Sequence, residues 1–323
     1  MMALLEMDDV SVTYASAKGP LNAVRNISLR VEKGEVLGLV GESGSGKSTL
    51  IGAMLTLLPS HAQTSGRLYY RGRDLLALPD AEKRRLRGNG IATVSQDPFT
   101  ALNPVIAIGK QLLAFQHHKP GSKAEKIRRA VDMLAQVGIA DPSGRLKQYP
   151  HELSGGIRQR IAIAAALLTE PELLIADEPT TALDATTEMQ VVEVLKASRR
   201  LVDGAIIFVT HDLHLVGTLC DNVAVMYAGE IVEAGPTEQI FTSPAHPYTQ
   251  ALLACDPERI ATATRELPFI AGSVPLPSVH RIGCAFQPRC RFAFAPCGSE
   301  TPPETVLDGG GWTVCCHKVG AHA

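Results

Sequence analysis

The chain has 323 residues, 45% hydrophobic and 20% charged, the balance of a globular protein with a large core and not of a disordered one. Thirty-one basic against 33 acidic residues give a formal net charge of -2, so composition supplies no general attraction to nucleic acid or anionic lipid. The longest apolar stretch, Ile161 to Leu168, is far short of the roughly 18 residues that span a bilayer. The length exceeds one average domain and favours a large domain with an appendage, or two domains.

In chain order, Met1 to Val10 carries Glu6, Asp8 and Asp9 without a basic segment, which argues against a secretory signal and for a cytoplasmic chain. The apolar run Val36 to Val40 follows the turn-like Glu32-Lys33-Gly34 and reads as a buried strand. A Gly-rich segment comes next, then a helix over Ser48 to Leu55. Ile127, Val131, Leu134 and Val137 recur at three- and four-residue spacing and mark an amphipathic helix over Ala124 to Val137. Leu173 to Ala176 and Ala205 to Val209 read as buried parallel strands flanking a helix over Thr187 to Leu201. This alternation predicts an α/β fold with a largely parallel sheet. From Ser243 onward the chain turns rich in proline and cysteine and loses long helical periods, so a boundary is placed there.

Gly41 to Ser48 fits the G-x4-G-K-[ST] phosphate loop and lies between the predicted strand and helix, where that loop works. Its glycines let backbone N–H groups curl around phosphate at a helix N-terminus. Lys47 is expected to reach the β- and γ-phosphates, and Ser48 to ligate Mg²⁺. The strand ending in Asp177 and Glu178 supplies carboxylates for the metal and for a general base, respectively. A second Gly-rich helix start, Ser154-Gly155-Gly156, precedes the apolar run at Ile161.

With these motifs in this order, residues 5 to 250 resemble the ATP-binding subunits of ABC transporters. The resemblance implies a P-loop NTPase of ABC type, with a mixed sheet core and a helical subdomain at about 97–165. It implies a nucleotide-binding domain over 1–245 and a C-terminal extension over 246–323. Carried over by position, Tyr14 matches the aromatic that stacks on adenine, with Val24 beside it. Gly41, Glu42, Ser43, Gly44, Ser45, Gly46, Lys47, Ser48 and Thr49 line the phosphates. Gln96 matches the Q-loop and joins Ser48 and Asp177 around Mg²⁺. Ser154, Gly155 and Gly156 match the signature that binds the γ-phosphate of ATP held by the opposite subunit, and Asp184 the D-loop. His211 matches the switch histidine, and Glu178, His211, Gln96 and Lys47 form the implied catalytic set.

Gln96 to Pro104, Tyr149 to Ser154, Ser243 to Leu253 and Gly272 to Pro275 resemble the dipeptide and oligopeptide importer branch, which also contains nickel and metallophore importers. That branch implies two transmembrane permeases, a second homologous ATPase, an extracytoplasmic binding protein and a peripheral place on the cytoplasmic face of the inner membrane. No nucleic acid is implied. Its rival, an ABC ATPase acting on nucleic acid or ribosomes, calls for tandem ATPase domains, a coiled-coil insertion or a basic face, and the sequence has one phosphate loop and near-zero charge. Cys284, Cys290, Cys297 and Cys316 match the branch's four-cysteine pattern, which implies a [4Fe–4S] cluster, with zinc as the alternative and unliganded thiols as the plain reading. Cys315 adjoins Cys316 and competes with it as fourth ligand.

Overall fold

The computed structural model describes residues 3–17, 19–181, 183–256, 259, 267–277, 281–307 and 311–320. Its strands, in chain order, are β1 (Leu5–Tyr14), β2 (Leu21–Val31), β3 (Val36–Val40), β4 (Ala62–Tyr70), β5 (Arg73–Asp74) and β6 (Ile91–Val94). They continue with β7 (Leu173–Asp177), β8 (Ala205–Thr210), β9 (Asn222–Tyr227), β10 (Glu230–Pro236), β11 (Glu304–Leu307) and β12 (Trp312–Cys315). The chain divides into two compact units.

The first unit holds residues 1–31, 35–77 and 210–323. Part of it is an antiparallel sheet in the order β2-β1-β4-β5. In β1 the side chains Leu5, Met7, Val10 and Val12 are buried, a period of two interrupted once. The interruption is a register slip between Met7 and Val10, with Asp9 at φ 51°. One added residue returns the apolar set to the inner face, where a plain slip would turn it to solvent.

The same unit carries β3, every residue of which is buried, beside β9 in parallel register from Leu37↔Asn222 to Val40↔Val225. Beyond β9 the order runs β10, β12, β11, all antiparallel. Thus the expected parallel pairing holds at β3–β9, while the flanks are antiparallel, as the mixed core of the family resemblance requires. The helix after β3 spans Lys47–Met54, one residue earlier than read from the sequence. The tail also holds a helix over Pro247–Ala254, capped by His246 with Pro247 at its first turn. Proline there is a helix-start signal, because the first-turn N–H has no partner to lose.

The second unit holds residues 32–34 and 78–209. Its parallel strands run in the order β8-β7-β6, with Leu173 opposite both Ile91 and Ala205. Its helices include Ile108–Phe115, Lys123–Gln136, Gly155–Leu167 and Ala185–Ser198. The Lys123–Gln136 helix opens with a capping box between Ser122 and Glu125. Ile161, Ala162, Ile163, Ala164, Ala165, Ala166 and Leu167 are all buried, so the apolar run is the core of the Gly155–Leu167 helix. At about 1.5–3 kcal/mol for each large aliphatic side chain removed from water, burial outweighs any single cap as the force holding this helix.

Candidate functional site

Between β3 and the Lys47–Met54 helix the chain curls through Gly41 to Gly46, with Gly44 at φ 82° and Gly46 at φ 105°. A Cβ on Gly46 would lie 2.5 Å from Ala23 O, so neither the φ nor the space admits a side chain. Lys47 is buried and donates from Nζ to Gly41 O at 2.6 Å and to Glu42 O at 3.2 Å. Ser45 is fully buried, with its Oγ unpartnered. An ammonium held inside a ring of backbone, at a helix N-terminus, is an anion receptor. Ser43, Gly44 and Ser48 lie exposed at its mouth. Glu42 is held by the tail: its N–H donates to Tyr248 Oη at 2.9 Å and its carboxylate pairs with Arg289.

Tyr14 closes β1 half-buried, its hydroxyl 3.3 Å from Thr49 Oγ1 and its ring 5.8 Å from that of His61. The aromatic expected at adenine therefore has a second ring beside it that no motif marked. Val24 pairs with Val12 and has no exposed surface, so what it offers this region is packing beneath the strand. His211 is exposed between Thr210 and Asp212, and both neighbours are fixed. Thr210 Oγ1 accepts from Asp212 N, and Asp212 caps the helix Leu213–Leu219.

In the second unit, Asp177 ends β7 opposite Val209 of β8. Glu178 follows at φ 44°, its N–H donating to Val209 O at 2.8 Å. That left-handed residue turns the chain sharply, and two donors fix its carboxylate. Gln96 Nε2 donates to Glu178 Oε2 at 3.2 Å, and Thr181 Oγ1 to the same oxygen at 3.0 Å. The structure thus joins Gln96, expected at the Q-loop, to the expected general base and adds Thr181.

Ser154 caps the Gly155–Leu167 helix by accepting from Ile157 N at 3.4 Å. Asp184 caps Ala185–Ser198, accepting from Thr187 N at 3.1 Å and Thr187 Oγ1 at 2.7 Å. These hydrogen bonds from Thr187 hold the Asp184 carboxyl below its ordinary range. Thr187 also packs on Gly156, where a Cβ would collide with its Cγ2. Gly155 is open, since a Cβ there would meet only Leu183 Cδ2 at 3.8 Å. Gly156 and Asp184 are therefore joined through Thr187, which bears on both.

In the tail, Cys284, Cys290, Cys297 and Cys316 line one cavity with His246, Phe292 and Phe294. Cys315 lies on a different cavity, among Glu230, Arg281 and Glu304, which Cys284 also lines. Burial pushes the Cys284 thiol up to about 11 and raises Cys290 and Cys316 as well. Among the described residues no group of three or more His, Cys, Asp or Glu could hold a metal ion. Thiols around one cavity are donors of the kind that both zinc and iron–sulfur clusters take.

Comparison with known proteins follows the same division. Residues 24–181 match the ABC transporter family, and residues 232–297 match the oligopeptide/dipeptide transporter C-terminal region. The chain is 43% identical over 316 residues to the dipeptide transport ATP-binding protein DppD of Escherichia coli, covering 97% of this chain and 96% of that one. It is 43% identical to the oligopeptide transport ATP-binding protein OppD of Bacillus subtilis, over 93% of this chain and 85% of that one. Among solved structures it is similar to the ATP-binding cassette MJ0796, described as a dimer in a post-hydrolysis state bound to ADP and Pi. The TM-score is 0.64 at 27% identity, covering 72% of this chain and 98% of that one. Taken with a phosphate loop, a strand-end carboxylate pair and a capped signature helix in one polypeptide, these likenesses leave one assignment: the chain belongs to the ABC transporter ATP-binding family, in the branch with the oligopeptide/dipeptide transporter C-terminal region.

Proposed function

We infer that this ATPase energises import of dipeptides or oligopeptides. The names of its relatives favour peptide over nickel or metallophore cargo. The observation that carries the chemistry is the Gln96–Glu178–Thr181 arrangement, which holds a carboxylate at the end of a buried strand. Glu178 acts as general base: it takes a proton from water as that water's oxygen attacks the γ-phosphorus of ATP, and ADP leaves. Lys47 and the loop N–H groups bind the phosphates. Tyr14 stacks on the adenine, and His211 senses the γ-phosphate. Ser48 in the first unit offers a hydroxyl oxygen, and Gln96 and Asp177 in the second offer amide and carboxylate oxygens, donors of the kind Mg²⁺ takes; the bound ion would neutralise phosphate charge. Ser154, Gly155 and Gly156 receive the γ-phosphate of nucleotide carried by a second ATPase subunit, and the open face at Gly155 supports that role.

Partner docking has a candidate surface in the second unit. Leu102, Asn103, Ile106, Gln111 and Phe115 line a groove there, with Val105 79% exposed nearby. A short amphipathic cytoplasmic helix of a permease is the occupant that suits an apolar groove of this kind. No described helix is long and apolar enough to cross a membrane. We place the subunit peripherally on the cytoplasmic face of the inner membrane, with two permeases, a homologous ATPase and an extracytoplasmic binding protein. The domain division proposed is a nucleotide-binding domain over 1–245 and an extension over 246–323.

The extension is proposed to hold a [4Fe–4S] cluster through Cys284, Cys290, Cys297 and Cys316, a covalent tie for a segment with few strands. Cys316→Ser should abolish bound iron and acid-labile sulfide, and Cys315→Ser should leave both. Equal retention in the two variants removes the assignment. The test of function is ATP turnover by the complex with both permeases in vesicles: stimulation by peptide-loaded binding protein supports the reading, and indifference to peptide defeats it.

A further inference from the structure

Glu42 is an awkward residue for its place. It is the second residue of a loop that receives a polyanion, and a carboxylate there repels phosphate. The tail answers that charge from 247 residues away in sequence, within the first unit. Arg289 Nη1 donates to Glu42 Oε2 at 2.8 Å and Arg289 Nη2 to Glu42 Oε1 at 3.0 Å, a parallel bidentate pair. The Arg289 side chain is only 4% exposed. Its guanidinium lies 5.7 Å from the ring of Tyr227 and 5.9 Å from that of Phe286, and it donates to Tyr227 Oη, Ile270 O and Ala271 O. Tyr248 completes the hold by accepting from Glu42 N.

We propose that Arg289 is a positioning residue for the phosphate loop: it neutralises Glu42 and holds that carboxylate away from the phosphates of bound ATP. The proposal rests on ATP occupying this loop. A fixed, buried guanidinium is suited to the task because it is always charged and because its planar fork matches a carboxylate in only one orientation. Free of Arg289, Glu42 gains both an uncompensated charge and the freedom to swing toward the mouth of the loop. The C-terminal extension then has a part in nucleotide affinity, through one ion pair, separate from any part in subunit contacts.

Titration of the full-length protein with MgATP tests this by the sign of the effects. Arg289→Ala should weaken MgATP about tenfold and raise KM more than it lowers kcat, most strongly at low salt. Removing the offending charge as well, in Glu42→Gln/Arg289→Ala, should return affinity to within about twofold of the parent. Arg289→Lys, which keeps the charge but loses the bidentate fork, should bind MgATP more tightly than Arg289→Ala and less tightly than the parent, and it serves if Arg289→Ala does not fold. Unchanged binding in Arg289→Ala overturns the proposal, as does a double variant as weak as Arg289→Ala, or binding by Arg289→Lys as weak as by Arg289→Ala. Failure of the parent protein itself to bind MgATP would instead strike at the loop's assignment to ATP.

Discussion

His246 is buried and accepts a hydrogen bond from Tyr248 N at Nδ1, which requires an unprotonated ring nitrogen there. Burial pushes its pKa down to about 3, from an ordinary 6.5. Between those values the unfolded chain binds a proton that the folded one refuses, so stability falls as pH drops below about 6.5. Glu233, whose pKa burial raises, works in the opposite sense, but its effect is common to parent and variant. His246→Asn keeps an acceptor without the titration. Its melting temperature should therefore decline less than the parent's between neutral pH and about 5, as read by thermal unfolding. At the reacting centre, Glu178→Gln should bind MgATP and lose about 10²–10⁴-fold in turnover, measured as phosphate release. Turnover near the parent's would remove Glu178 as the base.

At the scale of elements, the signature and D-loop helices share one side chain. Thr187 donates to Asp184 and packs on Gly156. Gly156→Ala forces a methyl into Thr187, and overpacking of this kind costs about 1–3 kcal/mol. ATP turnover should fall along with stability, and Gly156→Ala/Thr187→Ser, which removes the colliding methyl, should recover part of both. Gly155→Ala has room within the subunit, so it should leave the unfolding midpoint unchanged while lowering turnover through the approach of nucleotide. The contrast between adjacent glycines separates packing from ligand access. Denaturant midpoints and phosphate release on the same preparations decide it.

At the scale of the whole molecule, the tail is built into the first unit through a buried carboxylate. Glu233 of β10 is 1% exposed and accepts from Ala245 N, His246 N and Trp312 Nε1. Desolvation favours its neutral form, and these donors oppose that effect. Trp312→Phe removes one donor to Glu233 and some apolar volume with it. A loss of about 1–3 kcal/mol in unfolding free energy is expected, and an unchanged midpoint would deny Glu233 its role as an anchor. Pairing of subunits also belongs to this scale. With a second ATPase subunit and MgATP, Glu178→Gln should form a closed pair stable to gel filtration, and ADP should not support one.

The strands at β3 and β7, the glycine-rich curl after β3, the helix start at Ser154 and the family itself were legible in the amino-acid order, because each depends on residues adjacent in the chain. A buried strand, a backbone curl and a capped helix announce themselves within a dozen positions. The helix starts after Ser122 and Asp184 were read to within about two residues from apolar spacing, whereas the helix read to Leu201 ends at Ser198. The antiparallel β1–β2–β4 sheet was missed, in part because the bulge at Asp9 breaks the alternation that marks a half-buried strand. Only the tertiary structure paired Arg289 with Glu42, seated Glu233 beneath Trp312, and put Cys316 but not Cys315 in the cavity with the other three thiols. Those choices turn on charge and burial between segments far apart in sequence, where chain order sets no distance and only the folded packing does.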